Sequence, residues 1–283
     1  MSSDVVVDIQ GLTKRFGPRT VFEDISFQVH RSEVVAVIGP SGAGKSTFIR
    51  CINYLHPFDA GRIRVLDHEL VGGGAPPSKA TLRQIRMQVG MAFQTFNLFP
   101  HLTALGNVML GPMETKRVPA SDARDKAMAL LTSVGLADRA EAYPRRLSGG
   151  EQQRVAICRA LAMDPEVMLF DEPTSMLDPE MVGEVLGTIR GLAAQGMTLI
   201  LVTHEMQFAK EVADTVVVMA DGRVVEKGPA RDVLEHPTSE RSRTFLTRVL
   251  KPLETVEDGQ EQGQHGGQES GPGATTALGG DHP

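Results

Sequence analysis

The sequence has no tryptophan, and only 5% of its 283 residues are aromatic. Its two cysteines, Cys51 and Cys158, lie in segments predicted to be helical, so we expect small apolar fillers rather than a structural disulfide. No apolar run approaches the ~20 residues that a membrane-spanning helix needs. The N-terminal residues lack a charged stretch followed by an apolar one, so we expect the chain to remain in the cytosol. These absences argue against a disulfide-stapled secreted domain and against a membrane-spanning protein.

The net charge of −6 is unevenly placed along the chain. Residues 254–283 carry six acids and neither Lys nor Arg, and removing those six from the 35 acids leaves 29, equal to the 29 bases. The rest of the chain therefore has no basic excess of the kind that favours nucleic acid. The segment 254–283 is rich in Gly and Gln and poor in apolar residues, so burial cannot offset its ordering entropy. We expect a disordered acidic tail after a single domain over residues 1–253.

The order of predicted elements indicates an α/β protein. Residues 4–30 alternate as two half-exposed strands with a turn near Phe16-Gly17-Pro18, which predicts an N-terminal antiparallel β-subdomain. The Gly- and Pro-rich stretch 72–77 predicts a loop, and helical periodicity dominates from about 81 to 146. From Val167 to Met219 apolar strands alternate with helices, which is typical of a parallel sheet covered by helices. We therefore expect a parallel core sheet with an inserted helical subdomain.

A phosphate-binding loop follows the apolar strand 34–38 and precedes a helix-compatible segment, 47–52. The pattern G-x-x-x-x-G-K-[ST] in this strand-loop-helix context predicts a nucleotide site and a P-loop NTPase fold. We expect Lys45 to reach the β- and γ-phosphates and the Ser46 hydroxyl to bind Mg²⁺. The predicted loop consists of Gly39, Pro40, Ser41, Gly42, Ala43, Gly44, Lys45, Ser46 and Thr47.

A second glycine-containing motif, Leu-Ser-Gly-Gly-Glu-Gln-Gln-Arg, occupies residues 147–154, about 100 positions further on. Ser148, Gly149 and Gly150 precede an apolar-periodic stretch, so they place bare amides and a hydroxyl at a helix N-terminus. Such an end favours anions. The alternative is a serine cap with glycines in an ordinary turn.

Two acids, Asp171 and Glu172, end the buried-looking strand 167–170. We assign Asp171 to Mg²⁺ and Glu172 to the general base that takes a proton from water. The alternative is a pair of solvated acids at a strand end. His204 ends the strand 199–203, and a lone histidine there is more often structural or exposed. Gln94 ends another short apolar strand, where a glutamine could contact Mg²⁺ or the attacking water. The residues alone leave it even whether Gln94 makes such a contact at all.

From Val6 to about Leu250 the chain resembles the ATPase of bacterial ATP-binding cassette (ABC) importers, most closely the polar amino-acid uptake family of glutamine- and histidine-permease type. The narrower match lies in residues 93–103, 171–175, 202–206 and 240–246. The resemblance implies a RecA-like core, ATP hydrolysis with Mg²⁺, and the cytoplasmic face of the cell membrane as location. It also implies a head-to-tail dimer, permease subunits as partners and, indirectly, an extracytoplasmic amino-acid-binding protein.

The resemblance also implies residue roles. Phe16 corresponds to the aromatic that stacks on adenine, Gln94 to the Q-loop glutamine, Asp178 to the D-loop aspartate and His204 to the switch histidine. The signature Ser148–Gly150 would cap ATP on the partner copy. Residues 96–103 would face the membrane partner, although the pattern alone leaves burial of Phe96, Leu98 and Phe99 in the core equally open.

Departures from the family pattern are Met176, Ser32 and Cys158, where small residues, a turn glycine and alanine are usual. None of them removes a catalytic group. Other readings are an ABC ATPase for another cargo, an exporter subunit, or a soluble ABC ATPase of DNA repair or translation. The single cassette without heptads counts against the soluble class, and Glu172 and His204 argue against a non-hydrolysing ATP sensor.

Overall fold

A computed structural model describes residues 4–250, so the predicted tail at 254–283 lies outside the described residues. The strands are β1 Val5–Phe16, β2 Arg19–His30, β3 Val34–Ile38, β4 Ala60–Val65, β5 His68–Val71, β6 Val89–Ala92, β7 Val167–Asp171, β8 Thr198–Val202, β9 Thr215–Ala220 and β10 Arg223–Pro229. The helices are α1 Lys45–Ile52, α2 Lys79–Gln88, α3 Ala104–Lys116, α4 Ala120–Ser133, α5 Gly149–Leu161, α6 Pro179–Ala194, α7 Met206–Val212, α8 Ala230–Glu235 and α9 Glu240–Leu250.

The N-terminal strands form an antiparallel sheet in the order β2-β1-β4-β5. The two long strands predicted from alternation are present, and they turn at Gly17, where φ is +58°. Phe16 pairs with Arg19 across that turn. Buried side chains of β1 and β2 pack with those of α1 in one cluster, which places the turn beside the start of α1.

The second sheet has the order β10-β9-β3-β8-β7-β6, and its strands are parallel except that β10 is antiparallel to β9. All five residues of β3, β7 and β8 are buried, as expected for strands covered on both faces. The predicted parallel α/β core is therefore confirmed. Because the strands are parallel, the residues after β3, β6, β7 and β8 emerge at one edge of the sheet.

Helices α3, α4 and α5 form a separate layer around their own cluster of buried residues, including Leu105, Leu131 and Val155. The segment predicted as helical from about residue 81 contains α2 but also β6, which pairs with β7 in the core sheet. The helical layer thus begins at α3, whose first turn is capped by the Thr103 hydroxyl. Within residues 4–250 no helix has both the length and the apolar character needed to cross a membrane.

Candidate functional site

The loop between β3 and α1 has a backbone that only glycine allows at its first position. Gly39 has φ +144°, and a Cβ there would lie 1.9 Å from the carbonyl oxygen of Met219. Gly44 is the N-cap of α1 with φ +93° and supplies no side-chain cap. The first amides of α1 therefore keep free donors at the positive end of the helix, which suits a phosphate.

Lys45 begins α1 and is only 4% exposed. Its Nζ donates to the carbonyl oxygens of Gly39 and Pro40 at 2.9 and 3.2 Å, and lies 3.9 Å from Glu172 Oε1. Burial lowers the pKa of Lys45, while the charges of Glu172 and Asp171 act in the opposite direction. Two backbone carbonyls of the phosphate loop thus hold the Lys45 ammonium at the place where a phosphate would bind.

Glu172 follows β7 with φ +48°, a left-handed conformation that is uncommon for a non-glycine residue. Its amide donates to the carbonyl of Val202 at 3.0 Å, which fixes this backbone against β8. His204 Nε2 lies 3.0 Å from Glu172 Oε1, and this hydrogen bond lowers the pKa of Glu172. Glu172 is therefore ionised at neutral pH and can accept a proton.

Asp171 is completely buried at the end of β7. Arg50 of α1 donates from Nε to Asp171 Oδ2 at 2.9 Å, and its Nη2 lies 2.8 Å from the same oxygen in an ion pair. Oδ1 is buried and has no hydrogen-bond partner among the described residues. An open carboxylate oxygen on β7, which packs against α1, fits Mg²⁺, because this metal prefers oxygen ligands. The described residues contain no group of three or more His, Cys, Asp or Glu that could hold a metal, but Mg²⁺ bound with phosphates needs only one or two protein ligands.

A cavity of about 480 Å³ joins the phosphate loop to Glu172, His204 and the β1–β2 turn. Its lining consists of Phe16, Arg19, Val21, Ser41, Gly42, Gly44, Lys45, Ser46, Thr47, Glu172 and His204. The structure therefore brings most of the predicted phosphate-loop residues to one space with the predicted base and histidine. The predicted aromatic, Phe16, is 51% exposed, with Lys14 Nζ 4.6 Å from its ring centroid.

Four other predicted parts of the site do not line this cavity as far as the structure describes it: Gln94, Asp171, Asp178 and the signature residues 148–150. Gln94 is half-buried two residues after β6, at the same sheet edge as Glu172. Asp178 is the exposed N-cap of α6 and makes no side-chain cap bond. The signature lies in the helical layer, at the start of α5.

The start of α5 is a complete capping box. Ser148 Oγ accepts from the amide of Glu151 at 3.2 Å, and Glu151 Oε2 accepts from the amide of Ser148 at 2.7 Å. The serine cap, which from sequence stood as the alternative to an anion site, is thus present. It leaves the Ser148 hydroxyl hydrogen free to donate, so a cap and an anion contact are compatible. The spacing Ser-x-x-Glu carried this signal in the sequence.

Sequence reasoning missed two arginines that connect these elements. Arg50 pairs with Asp171 across 121 positions, and Arg159 of α5 donates to the carbonyls of Phe96 and Asn97. No local pattern pairs residues so far apart, so the sequence carried no signal for either contact.

Beyond Gln94, a larger groove of about 830 Å³ lies between α2, β6 and the helical layer. Phe99 lines it and is 41% exposed, while Phe96 and Leu98 are half-buried. Leu98 packs against the cluster of the helical layer. The structure therefore divides the three apolar side chains that sequence could not place: Phe99 is on the surface, and the other two support the loop.

Comparison with known proteins supports this assignment. The family model described as ABC transporter matches residues 22–175. The chain is 48% identical over 239 residues to a glutamine transport ATP-binding protein of Geobacillus stearothermophilus, covering 84% of this chain and 97% of that protein. It is 51% identical over 245 residues to an L-cystine transport system ATP-binding protein of Escherichia coli, covering 86% and 98%.

Solved structures agree with the sequence comparison. An ATP-binding cassette in a dimeric post-hydrolysis state, bound to ADP and phosphate, is similar with a TM-score of 0.71 at 30% identity. The similarity covers 80% of this chain and 99% of that one. A family model that covers more than half of the chain, and relatives near 50% identity matched over almost their whole length, agree with the geometry of the loop and the strand ends. The chain belongs to the ABC transporter family, as one of its ATP-binding proteins.

Proposed function

We propose that this protein hydrolyses ATP as the ATP-binding subunit of an importer of polar amino acids. The observation that carries the proposal is the cavity in which Lys45, Glu172 and His204 meet beside the phosphate loop. The relatives are named for transport of glutamine and L-cystine, and one further relative, 50% identical, is the arginine transport ATP-binding protein of Corynebacterium glutamicum. A polar amino acid is therefore the cargo class that the relatives support.

The residues of the cavity divide the work of hydrolysis. Lys45 and the amides of the loop bind the β- and γ-phosphates, and Phe16 stacks on the base. Glu172 accepts a proton as water attacks the γ-phosphorus, the bond from that phosphorus to the β-bridging oxygen breaks, and ADP and phosphate form. His204, 3.0 Å from Glu172, orients the base and contacts the γ-phosphate. A positioned base of this kind contributes roughly 10²–10⁴ in rate.

Ser46 and Asp171 are the residues that would hold Mg²⁺, with Gln94 reaching the metal or the attacking water from the neighbouring strand end. When bound, Mg²⁺ neutralises charge on the β- and γ-phosphate oxygens. Arg50 already occupies Oδ2 of Asp171, so Oδ1 is the oxygen left for the metal.

A second copy of the chain completes each site in this proposal. Ser148, Gly149 and Gly150 begin a helix but do not line the cavity of their own chain within the described range, so they serve the ATP of the partner copy. Asp178 caps α6 between Leu177 and Met181, the two residues that meet Gly149 and Gly150, and it contacts the partner in this arrangement. Dimeric cassette structures with TM-scores of 0.71 and 0.70 support this arrangement.

Permease subunits dock on the groove beside Gln94, at the cytoplasmic face of the membrane, and receive cargo from an extracytoplasmic binding protein. Phe99 is an exposed apolar side chain of the groove, and it lies five positions after Gln94 in the chain. Replacing Phe99 with Asp should leave unfolding within about 0.5 kcal/mol of wild type, as for other surface changes. Transport in vesicles with the permease should be lost. A collapsed fold or normal transport would each contradict the docking assignment.

The test of hydrolysis is Glu172→Gln, which keeps the size of the side chain but cannot take the proton. We expect ATP·Mg²⁺ to bind, turnover to fall by about 10² or more, and a dimer to accumulate in size-exclusion chromatography. Glu69→Gln, in an exposed ion pair with Arg62 on β5, is the matched control and should behave as wild type. Persistent turnover in Glu172→Gln would remove Glu172 from the role of base.

A further inference from the structure

A cavity of about 350 Å³, the α9 cleft, lies between the phosphate loop and α9. The residues that α9 contributes share one face of the helix, because they recur at spacings of three and four: Arg241, Thr244, Phe245, Arg248 and Val249. The cleft therefore follows the helix from its first turn to its last. Ser41 and His204 line both this cleft and the nucleotide cavity, so the two spaces meet along the loop.

The charged side chains that α9 gives to the cleft are both arginines. The ion pairs found within residues 4–250 do not include Arg248, which is exposed. Arg241 lies 3.2 Å from Asp221 of the cleft, but the two side chains are 69% and 68% exposed, and a pair so open to water is weak. The cleft thus offers two guanidinium groups against one carboxylate and suits an acidic occupant.

The sequence places an acidic segment directly after this helix. α9 ends at Leu250, and residues 254–283 carry no Lys or Arg. Because an extended residue spans at most about 3.5 Å, the first acid lies within about 14 Å of the helix end. So short a tether gives an effective concentration on the order of millimolar, and weak ion pairs then suffice. The acids nearest the helix are Glu254, Glu257, Asp258 and Glu261.

The spacing of the first two acids matches that of the two arginines. Arg241 and Arg248 lie seven positions apart on α9, a rise of about 10 Å. Glu254 and Glu257 lie three positions apart, which also spans about 10 Å in an extended chain. Pro252 lacks the amide hydrogen that would continue the helix. A chain that reverses there brings Glu254 to Arg248 and Glu257 to Arg241.

Resting on the proposed function for its effect on ATP, we propose that the acidic segment 254–261 docks in the α9 cleft of its own chain and opposes ATP binding. Ion pairs with Arg248 and Arg241 hold the segment, and they need few ordered residues, which agrees with its polar composition. Its carboxylates then lie beside Ser41 and His204, at the edge of the nucleotide cavity, and repel the triphosphate. By linkage, docking and ATP weaken each other by the same factor.

A nitroxide on Gly259→Cys in the full-length chain tests the docking itself. Cys51 and Cys158 are buried, and burial raises the pKa of each thiol to about 12, so the label reacts with the introduced cysteine. In NMR spectra at low salt, we expect broadening of the amide signals of Ser41 and Asp221, which line the cleft but lie far from the label in sequence. In about 1 M NaCl, where the Debye length is about 3 Å, the signals should recover. Sharp signals at low salt would overturn the docking.

A mixing experiment distinguishes docking within one chain from docking on a second copy. Spin-labelled chain of natural isotopic composition is mixed with ¹⁵N-labelled wild-type chain that carries no nitroxide. We expect the signals of Ser41 and Asp221 to stay sharp in the ¹⁵N-labelled chain. Broadening there would show that the segment reaches a second copy, and it would overturn docking within the chain.

Neutralising the two acids should tighten ATP binding. In the full-length chain with Glu254→Gln and Glu257→Gln, we expect the Kd for ATP·Mg²⁺ in low-salt calorimetry to fall about fivefold, the lower end of typical couplings between sites. Glu269→Gln with Asp281→Asn removes the same charge further along the chain and is the matched control, which should bind as wild type. Equal gains in the two variants would show that net charge alone sets the affinity, and the docking effect would be overturned.

The arginines of the cleft supply the second arm of the test. In a chain with Arg241→Gln and Arg248→Gln, neutralising Glu254 and Glu257 should change the Kd by less than about twofold, because interacting sites lose their coupling when one partner is removed. Arg231→Gln removes an exposed arginine of α8 outside the cleft and should keep the fivefold response. A full response in the double arginine variant would overturn the role of the cleft. Absence of ATP binding in wild type and all variants would instead overturn the nucleotide assignment.

Discussion

The phosphate loop and the signature are both glycine-containing segments that begin a helix, yet their glycines serve different ends. Gly39 and Gly44 have positive φ, and a Cβ on Gly39 would collide with a backbone carbonyl. Neither Gly149 nor Gly150 has positive φ, and a Cβ there would meet side chains, those of Leu177 and Met181, at 3.0 Å. Gly39 and Gly44 are needed for the backbone conformation of the loop. Gly149 and Gly150 are needed because side chains of the same chain pack closely against them.

The two helix starts also differ in how their amides are satisfied. α1 begins at Gly44 with no side-chain cap, whereas α5 begins at Ser148 with a capping box. The uncapped amides of α1 are donors for a ligand bound in the cavity of the same chain. The capped start of α5 is stable without one, which suits a surface presented to another molecule. A glycine-rich motif alone therefore does not show whether its amides bind a ligand in the cavity of the same chain or in that of another molecule.

The largest effect should follow from removing the cation of the phosphate loop. Lys45→Ala should abolish ATP binding, since the other residues of the loop carry no positive charge to neutralise the phosphates. The capped start of α5 should keep its exchange protection. Lys210→Ala, which removes an exposed partner of Glu235, is the control. ATP affinity measured by calorimetry near the wild-type value in Lys45→Ala would reject the assignment.

Replacing each kind of glycine with alanine should distinguish a glycine required by its backbone conformation from one required by side-chain packing. Gly39→Ala forces a Cβ to within 1.9 Å of the Met219 carbonyl, so we expect a loss of several kcal/mol or no folded protein. Gly149→Ala presses on the Leu177 side chain and should cost about 1–3 kcal/mol, with monomer ATP affinity kept. Urea unfolding compares the two, and equal losses would erase the distinction.

Ser148→Ala should sharpen the role of the capped start. Losing the cap should lower the free energy of unfolding by about 1 kcal/mol. ATP binding by the monomer should be unchanged, but turnover in the dimer should drop further than the stability loss explains. Thr103→Ala, at the cap of α3, removes an equivalent bond to Gly106 away from the signature. Equal turnover in the two variants would show that Ser148 only caps α5 and has no further role in hydrolysis.

A smaller effect should appear where a glycine is missing. Ser32, the departure from the family pattern before β3, has φ +61°. Ser32→Gly relieves that left-handed conformation but adds freedom to the unfolded chain, so we expect a gain of about 0.5 kcal/mol in thermal unfolding. Asp221→Gly, at φ +50°, tests the same argument at a second turn. A loss of stability in both would contradict it.

Strands and loops with strong local patterns were predictable. The alternation of β1 and β2, the buried run of β3 before the loop, and the acids after β7 each follow from short-range chemistry. β5 and β10 were not predicted, since β5 has only four residues and β10 contains Lys, Gly and Pro. β10 can hold such residues because it is an antiparallel edge strand.

Much of the candidate site was visible from motifs, but its connections were not. The positive φ of Glu172 and its bond to His204 depend on how β7 and β8 align, and sequence gives no register between them. Arg50 and Arg159 bind partners 121 and 62 or more positions away. Long-range partners of this kind are set by packing, and a single sequence carries no signal for them.

The open end of the nucleotide cavity bears on which triphosphate the protein prefers. Phe16 stands half in solvent, and the lining found in the described residues includes no Asp, Asn or Gln side chain that could read a purine edge. Stacking on an aromatic ring is tolerant of the base, because every base has a π-face. Discrimination between adenine and guanine should therefore be weak, with KM values for ATP and GTP within about tenfold, a gap of about 1.4 kcal/mol. Energy for the pump would then follow the cell's whole purine triphosphate pool rather than one nucleotide.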